Sequence, residues 1–175
     1  MTAPNPRVGA LALKEGHIVG RGRHDRLGGM HAEEAALRDA GAWPAGSPEP
    51  IAGHVDEIVV TLEPCSAKDS EKRRRPCVES LFAAGVERVL VGALDPDVRH
   101  QGSGLTAMEE GGARVRLSPD SSAFFKINSA LVCKRDHGIK NGACIRKHGK
   151  SSIGFWKNLH IFCNRIHASK IGCYY

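Results

Sequence analysis

Apolar residues in the first 120 positions occur in short blocks separated by glycine, proline and charged residues. The segment RVGALAL (7–13) alternates small and apolar side chains, and HIVGRGR (17–23) follows a turn that ends at Gly16. This arrangement predicts a β-hairpin. The continuous apolar runs DEIVVTL (56–62) and VERVLVGAL (86–94) predict buried strands, and ARVRL (113–117) predicts a last strand. The sequence therefore predicts a strand pair followed by single strands.

Three segments between these strands predict helices. HAEEAALRDAG (31–41) and CVESLFAAG (77–85) each end in a glycine that can stop a helix, and GSGLTAMEEGG (102–112) predicts a short helix. The predicted order is β-β-α-β-α-β-α-β. Strands that alternate with helices indicate an α/β fold with helices on both faces of the sheet. We therefore expect a three-layer α-β-α architecture around a mixed sheet of about five strands, with an antiparallel hairpin first and mostly parallel strands later.

Beyond Ser121 the periodicity fades, although FFKINSAL (124–131) still suggests a closing helix. Residues 121–175 contain 10 of the 25 Lys and Arg residues but only one acidic residue, Asp136. This part therefore carries a net charge of +9, against −3 for residues 1–120. We predict one domain over residues 1–128. We expect the basic tail over 129–175 to be poorly ordered or an artefactual extension, because its Cys and His spacings fit no zinc finger; accessory zinc binding by these residues is the alternative.

The bulk composition excludes several classes of protein. With 175 residues, 41% hydrophobic and 25% charged, the chain has the composition of a globular domain. It contains no apolar run of the roughly 20 residues that a membrane helix needs, and its start has no apolar signal core. We expect a cytoplasmic protein, whose thiols stay reduced. Clustered cysteines then indicate metal binding or catalysis.

Three residues at predicted loop-to-helix or strand-to-loop junctions have the chemistry of a metal site. His31 begins one helix, Cys65 follows a buried strand, and Cys77 begins another helix. One imidazole and two thiolates make three of the four ligands of a tetrahedral zinc ion, which leaves the fourth position for water. Open α/β sheets place their sites at the edge where these junctions would meet. The alternative is that both cysteines are small core residues.

Glu33 lies two residues after His31, so it need not bind the metal itself. A carboxylate there could move a proton from water to a leaving nitrogen. His-x-Glu followed by Pro-Cys and a second Cys, with a glutamate that is not a ligand, is the pattern of zinc deaminases of bases. The alternative without a function is that Glu33 is simply an acidic residue in the first turn of a helix, where acidic residues are favoured.

These motifs resemble a known family. The segments PNPRVGALALKEGHIVGRGRHDRLGGMHAEEAALRDAGA, VTLEPCS, RPCVESLFAAGVERVLVGALDPD and GSGL are similar to the deaminase domain of riboflavin-biosynthesis enzymes, which have a cytidine deaminase-like fold. The resemblance covers about residues 4–118. It implies that His31, Cys65 and Cys77 bind zinc, that Glu33 is the catalytic proton shuttle, and that the substrate is a diamino-pyrimidinone ribosylamino phosphate.

The resemblance also implies four substrate-binding positions: Asn5, His24, Arg73 and Asp95. Lys72 is the alternate for Arg73, because the eleven residues between Cys65 and Cys77 make a longer loop than the family's and leave the register open. The Gly102–Gly104 turn matches the family's substrate-side loop. From the residues alone, the basic loop is as well explained by a solvated charged surface, and Asn5 by a turn between prolines.

The chain departs from the family at both ends. The family's helix before PNP is missing, which would leave an apolar sheet face for a partner subunit or the tail to cover, and an upstream start is the alternative explanation. The chain has no room for the reductase domain of bifunctional members, so we expect no nicotinamide-dependent activity. The expected partners are a small phosphorylated pyrimidine and a second copy in a homodimer, with no membrane and no nucleic acid. Two alternatives stay open: deamination of another nucleoside, nucleotide or tRNA base, and a non-catalytic zinc-binding module.

Overall fold

The computed structural model describes residues 5–66, 75–97 and 100–121, together with residues 124 and 128. Backbone contacts divide the chain into two units, residues 1–121 and 122–175. Of the second unit, Phe124 and Asn128 are described; both are helical, and the Asn128 side-chain amide donates to the Phe124 carbonyl. They lie in the segment for which a closing helix is expected. The predicted tail, 129–175, lies outside the described residues, so its predicted boundary and character stay predictions.

The described elements follow the predicted order. The chain forms β1 (Gly9–Lys14), β2 (His17–Arg23), α1 (Ala32–Asp39), β3 (Glu57–Val60), α2 (Cys77–Ala83), β4 (Arg88–Val91), α3 (Ser103–Glu110) and β5 (Arg114–Leu117). Helices α1 and α2 end close to the glycines that the sequence suggested as their stops, Gly41 and Gly85, and Gly111 follows the last residue of α3. Strands β3 and β4 are shorter than the apolar runs that contain them; the residues that follow each strand, Thr61 and Gly92, are bends.

The five strands form one mixed sheet in the order β2-β1-β3-β4-β5. Strand β1 pairs antiparallel with both β2 and β3, while β3, β4 and β5 are parallel to one another. This arrangement confirms the predicted α/β fold with an antiparallel hairpin first and parallel strands afterwards. The sheet edge that carries the ends of β3 and β4 therefore also carries the beginning of β1 and the end of β2.

The core has an apolar layer on each face of the sheet. On one face, Ala10, Ile58 and Val89 belong to a buried cluster that also contains residues of all three described helices. On the opposite face, Leu11 and Val59 pair across β1 and β3, and both are almost fully buried. The central strands β1, β3 and β4 are therefore buried on both faces, whereas most residues of the edge strand β5 are exposed.

Helix α1 lies directly on the backbone of β2, because two glycines leave room for it. A Cβ atom at Gly22 would collide with the carbonyl of Ala32 and the amide of Ala36, and one at Gly20 would collide with the Ala36 carbonyl. Any larger residue would separate the helix from the strand. This close packing fixes the position of the first turn of α1, where the candidate site begins.

Within the described part of the chain, none of the helices is long and apolar enough to cross a bilayer.

Candidate active site

The candidate site lies at the sheet edge formed by the ends of β2, β3 and β4 and the beginning of β1. Two backbone hydrogen bonds join these segments: Thr61 N–H donates to the Gly9 carbonyl, and His24 N–H donates to the Val8 carbonyl. Open α/β sheets place their ligands outside the carboxyl ends of the parallel strands. The topology therefore brings residues that are far apart in the sequence to this edge.

His31, Cys65 and Cys77 meet here, as the sequence predicted. Their candidate ligand atoms all lie within 4.8 Å of one another. The His31 Nδ1 atom is 3.1 Å from the Cys77 Sγ and 3.6 Å from the Cys65 Sγ. The backbone N–H of Cys77 also donates to the Cys65 Sγ at 3.4 Å. The start of α1, the segment after β3 and the start of α2 thus converge on one point.

These distances fit a zinc ion. With Zn–S bonds of about 2.3 Å and Zn–N bonds of about 2.0 Å, tetrahedral geometry separates sulfur and nitrogen ligands by about 3.5 Å. The two observed distances from His31 Nδ1 to sulfur, 3.1 and 3.6 Å, bracket this value. One imidazole and two sulfurs are also the soft donor set that zinc prefers. The donor set therefore suits zinc and leaves a fourth position for water.

The two cysteines differ in protonation. The Cys77 thiol donates a hydrogen bond to the Cys65 sulfur, which lowers the pKa of Cys65 well below its usual range, with His31 and the Cys77 N–H acting in the same direction. The same bond and burial raise the pKa of Cys77. Cys65 is therefore the thiolate of the pair. A thiolate already present at neutral pH favours metal capture, because the thiolate is the form that binds metal.

Glu33 lies in the first turn of α1 and is only 3% exposed. Burial raises its pKa from 4.5 to about 7, with the charge of Cys65 adding to this and His31 opposing it. Its carboxyl group also hydrogen-bonds to Cys77, so it faces the ligand cluster. A carboxyl group with a pKa near 7 can both accept and release a proton at neutral pH.

His24 lies directly after β2, and its ring stands edge-on to that of His31, with the centroids 5.8 Å apart. Its Nδ1 contacts the Met30 carbonyl at 2.9 Å, and because a carbonyl only accepts, this nitrogen carries the proton. In the neutral ring, Nε2 is then an acceptor; it is buried and has no partner among the described residues. A buried polar atom without a partner is costly, so this atom indicates a place for a ligand.

For the other predicted substrate-binding residues, Asn5, Arg73 and Asp95, the structure gives less detail. Asn5 is partly buried ahead of β1, and Asp95 is partly buried after β4, so both lie at the same sheet edge. Arg73 and its alternate Lys72 lie outside the described residues. Arg75 is described, and it forms ion pairs with Glu49 and Glu79.

Glu63 is a further residue at this edge, and the sequence pattern does not single it out. The only signal is an acidic residue between a buried strand and Pro-Cys. In the structure Glu63 is only 7% exposed, and its carboxylate accepts hydrogen bonds from the backbone N–H groups of Asp95, Gly102 and Gly104.

A mixed α/β sheet with a His-Cys-Cys cluster and a buried carboxyl group beside it defines a class of mononuclear metal-binding proteins. The family model for the cytidine and deoxycytidylate deaminase zinc-binding region matches residues 1–93. The chain belongs to this family.

Comparison with individual proteins shows which members of the family the chain is similar to. The chain is 42% identical over 138 residues to the riboflavin biosynthesis protein RibD of Escherichia coli, covering 79% of this chain and 34% of that protein. It is 36% identical over 131 residues to the chloroplastic riboflavin biosynthesis protein PYRD of Arabidopsis thaliana, covering 75% of this chain and 28% of the relative. The solved structure of Acinetobacter baumannii RibD superposes with a TM-score of 0.63 at 31% identity, covering 78% of this chain and 35% of that one.

These relatives confirm the resemblance to the deaminase domain of riboflavin-biosynthesis enzymes. The chain spans about a third of the length of the curated relatives it matches.

Proposed function

We propose that this chain is a zinc-dependent hydrolytic deaminase that replaces an exocyclic ring amine of a pyrimidine with oxygen and releases ammonia. The proposal rests on one observation: the Glu33 carboxyl group lies beside Cys77. Cys77 belongs to a cluster whose three candidate ligand atoms lie within 4.8 Å of one another. A purely structural metal site has no use for a buried carboxyl group that is not needed as a ligand. Zinc sites used in catalysis keep one position open in this way.

His31, Cys65 and Cys77 would hold the zinc ion. Zinc bound there would act as a Lewis acid and make water nucleophilic at neutral pH. Glu33 takes a proton from the attacking water as the new C–O bond forms. It then gives that proton to the ring amine, whose C–N bond breaks as ammonia leaves. One water molecule is consumed and one ammonia molecule released, so no oxidant or reductant is needed.

The proposed substrate is the diamino-pyrimidinone ribosylamino phosphate of riboflavin biosynthesis. The names of the relatives support it, among them a Thermotoga maritima structure described as a diaminohydroxyphosphoribosylaminopyrimidine deaminase and 5-amino-6-(5-phosphoribosylamino)uracil reductase. His24 contributes the buried acceptor Nε2 for a ring N–H or amine of the substrate. We assign Asn5 to the pyrimidine, Asp95 to the substrate side of the site, and Arg73, with Lys72 as the alternate, to the phosphate.

The proposed proton transfer is tested by measuring ammonia release from this substrate by zinc-loaded protein. We expect Glu33→Gln to reduce kcat by at least about 100-fold, the usual contribution of general acid–base catalysis, at unchanged zinc content. Glu34→Gln is the matched control, because its neighbouring carboxylate pairs with Arg38 instead. Glu34→Gln should keep the wild-type rate. Retention of that rate by Glu33→Gln would refute the mechanism.

The substrate is tested separately with a panel of amine-bearing rings at one enzyme concentration. We expect the ribosylamino phosphate to react with a higher kcat/KM than cytidine, deoxycytidylate or a tRNA. Faster turnover of one of these others would overturn the substrate assignment but keep the deaminase. Zinc bound in a 1:1 ratio with no turnover of any ring would indicate a binding module.

The proposal includes a cytoplasmic homodimer that acts on a small molecule, without a membrane or nucleic-acid partner. Light scattering after size exclusion, with zinc present, should give the mass of two chains. A monomer that deaminates at the full rate would contradict the dimer without affecting the chemistry.

A further inference from the structure

The Glu63 carboxylate joins three segments at the candidate site. Its Oε2 accepts from the N–H of Asp95 at 3.1 Å and of Gly102 at 2.9 Å. Its Oε1 accepts from the N–H of Gly102 at 3.0 Å and, more weakly, of Gly104 at 3.4 Å. In addition, the Glu63 backbone N–H donates to the Ala93 carbonyl at 2.9 Å. One residue therefore ties the end of β3 to the end of β4 and to the start of α3.

This carboxylate also supplies the cap that α3 does not provide for itself. The helix begins after Gly102, which has a positive φ of 82° and no side chain that could cap. The N–H groups of the first turn need acceptors, and a negative charge is favoured at that end of a helix. Charge-assisted bonds to a carboxylate are stronger than bonds between neutral groups. Glu63 thus holds the start of α3 from a different part of the chain.

The start of α3 in turn lies against the segment that carries Cys65. A Cβ atom at Gly104 would collide with the Pro64 carbonyl, so the helix approaches the backbone just before Cys65. On the other side of Cys65, the Ser66 hydroxyl donates to the Ser103 hydroxyl at 3.0 Å. The segment from Gly102 to Gly104 therefore lies against residues on both sides of the candidate metal ligand Cys65.

We infer that Glu63 is a positioning residue that sets the wall formed by Asp95 and Gly102–Gly104 relative to the metal ligand Cys65, and so governs how tightly the substrate is held. This inference rests on the proposed function and deepens it. Glu63 does not need to touch the substrate or the metal. Its effect passes through the backbone amides that it holds, because a displaced wall misplaces whatever lies against it.

The test uses Glu63→Gln and Glu63→Ala in the full zinc-loaded chain, with Glu57→Gln as the control. Glu57 is the first residue of β3, the strand that leads to Glu63; it is equally buried at 7% exposed and pairs with Arg88. For Glu63→Gln we expect KM to rise about 10-fold while kcat stays within about threefold, since the proton shuttle is untouched. Glu63→Ala should raise KM further, and glutamine should therefore rescue part of the loss.

Amide hydrogen exchange measures the same effect without a substrate. In Glu63→Gln, exchange at Gly102 and Gly104 should accelerate about 10-fold, whereas exchange in α1 should not change. Glu57→Gln should lower the melting temperature but leave KM and these two amides as in the wild type. Gly104→Ala, which displaces the same wall without altering Glu63, should also raise KM.

The outcomes separate this inference from the proposed function. Unchanged KM and unchanged exchange at Gly102 in Glu63→Gln would overturn the positioning role, as would an equal rise in KM for Glu57→Gln. Loss of zinc and kcat together, with KM unchanged, would also overturn it. If wild-type protein releases no ammonia, the proposed function fails, and amide exchange alone then decides whether Glu63 holds the wall.

Discussion

The first turns of α1 and α3 each have a buried carboxyl group beside them, and the two groups are placed in opposite ways. Glu33 belongs to α1 itself and faces sulfur and imidazole, so burial raises its pKa to about 7. Glu63 comes from the end of the β3 run and faces backbone N–H groups of the 95–104 segment. The first environment suits proton transfer, and the second suits holding the chain in place. Both residues are glutamates, so residue type alone does not distinguish a carboxyl group that transfers protons from one that holds the backbone. The hydrogen-bond partners of each carboxyl group make this distinction.

The largest expected effect comes from removing a ligand on the α1 and α2 side. Cys77→Ser replaces a sulfur donor with a hydroxyl group that zinc binds poorly. We expect zinc content to fall from one ion per chain to near zero and ammonia release to disappear, as measured by metal analysis and the activity assay. Amide exchange at Gly102 should stay as in the wild type. Faster amide exchange at Gly102 in Cys77→Ser would show that the metal ligands and the start of α3 do not act independently.

A large loss of stability is expected from Gly22→Ala, which also acts on the α1 side. The new Cβ atom would collide with backbone atoms of Ala32 and Ala36. Overpacking of this kind costs about 1–3 kcal/mol of unfolding free energy, which denaturant titration would measure. Val19→Ala on the same strand is the control, since Val19 is 40% exposed and should change stability by no more than about 0.5 kcal/mol. A neutral Gly22→Ala would mean that α1 can move away from β2 without cost.

A moderate effect is expected in cysteine alkylation of the metal-free protein. The pKa of Cys65 is lowered and that of Cys77 is raised, so Cys65 is the thiolate at neutral pH. Because the thiolate persists above a lowered pKa, Cys65 should keep reacting with iodoacetamide as the pH falls from 9 to 7, where an ordinary thiol loses most of its reactivity. Mass spectrometry of peptides should show Cys65 modified before Cys77 and protected by zinc. Preferential modification of Cys77 would contradict the assignment.

The smallest effect is expected at Arg75, which lies outside both carboxylate environments. Its guanidinium group pairs with Glu49 and Glu79 but is 32% exposed, so solvent screens both pairs. Arg75→Ala should lower the unfolding free energy by no more than about 1 kcal/mol, and the difference should shrink in high salt. Thermal unfolding at two salt concentrations checks this, and a loss of zinc in Arg75→Ala would show that the residue supports the metal ligands directly.

The sequence supports the prediction of those features that depend on local pattern. Alternation and glycine stops gave the element order, and the His-x-Glu and Pro-Cys motifs gave a ligand set whose atoms the structure brings together. The role of Glu63 could not be predicted from the sequence, because its hydrogen-bond partners lie 32 to 41 positions away. The need for glycine at positions 20 and 22 could not be predicted for the same reason, since it arises from helix α1, which packs against both residues. Long-range packing has no periodic signal in one sequence.

The candidate ligands are separated by up to 46 positions, and they come from the starts of two helices and from the segment after β3. An ion bound there is therefore a cross-link within the chain, and its binding free energy adds to the free energy of folding. Bound zinc would then stabilise the folded state as well as support turnover, so a chelator present during purification would raise the unfolded fraction.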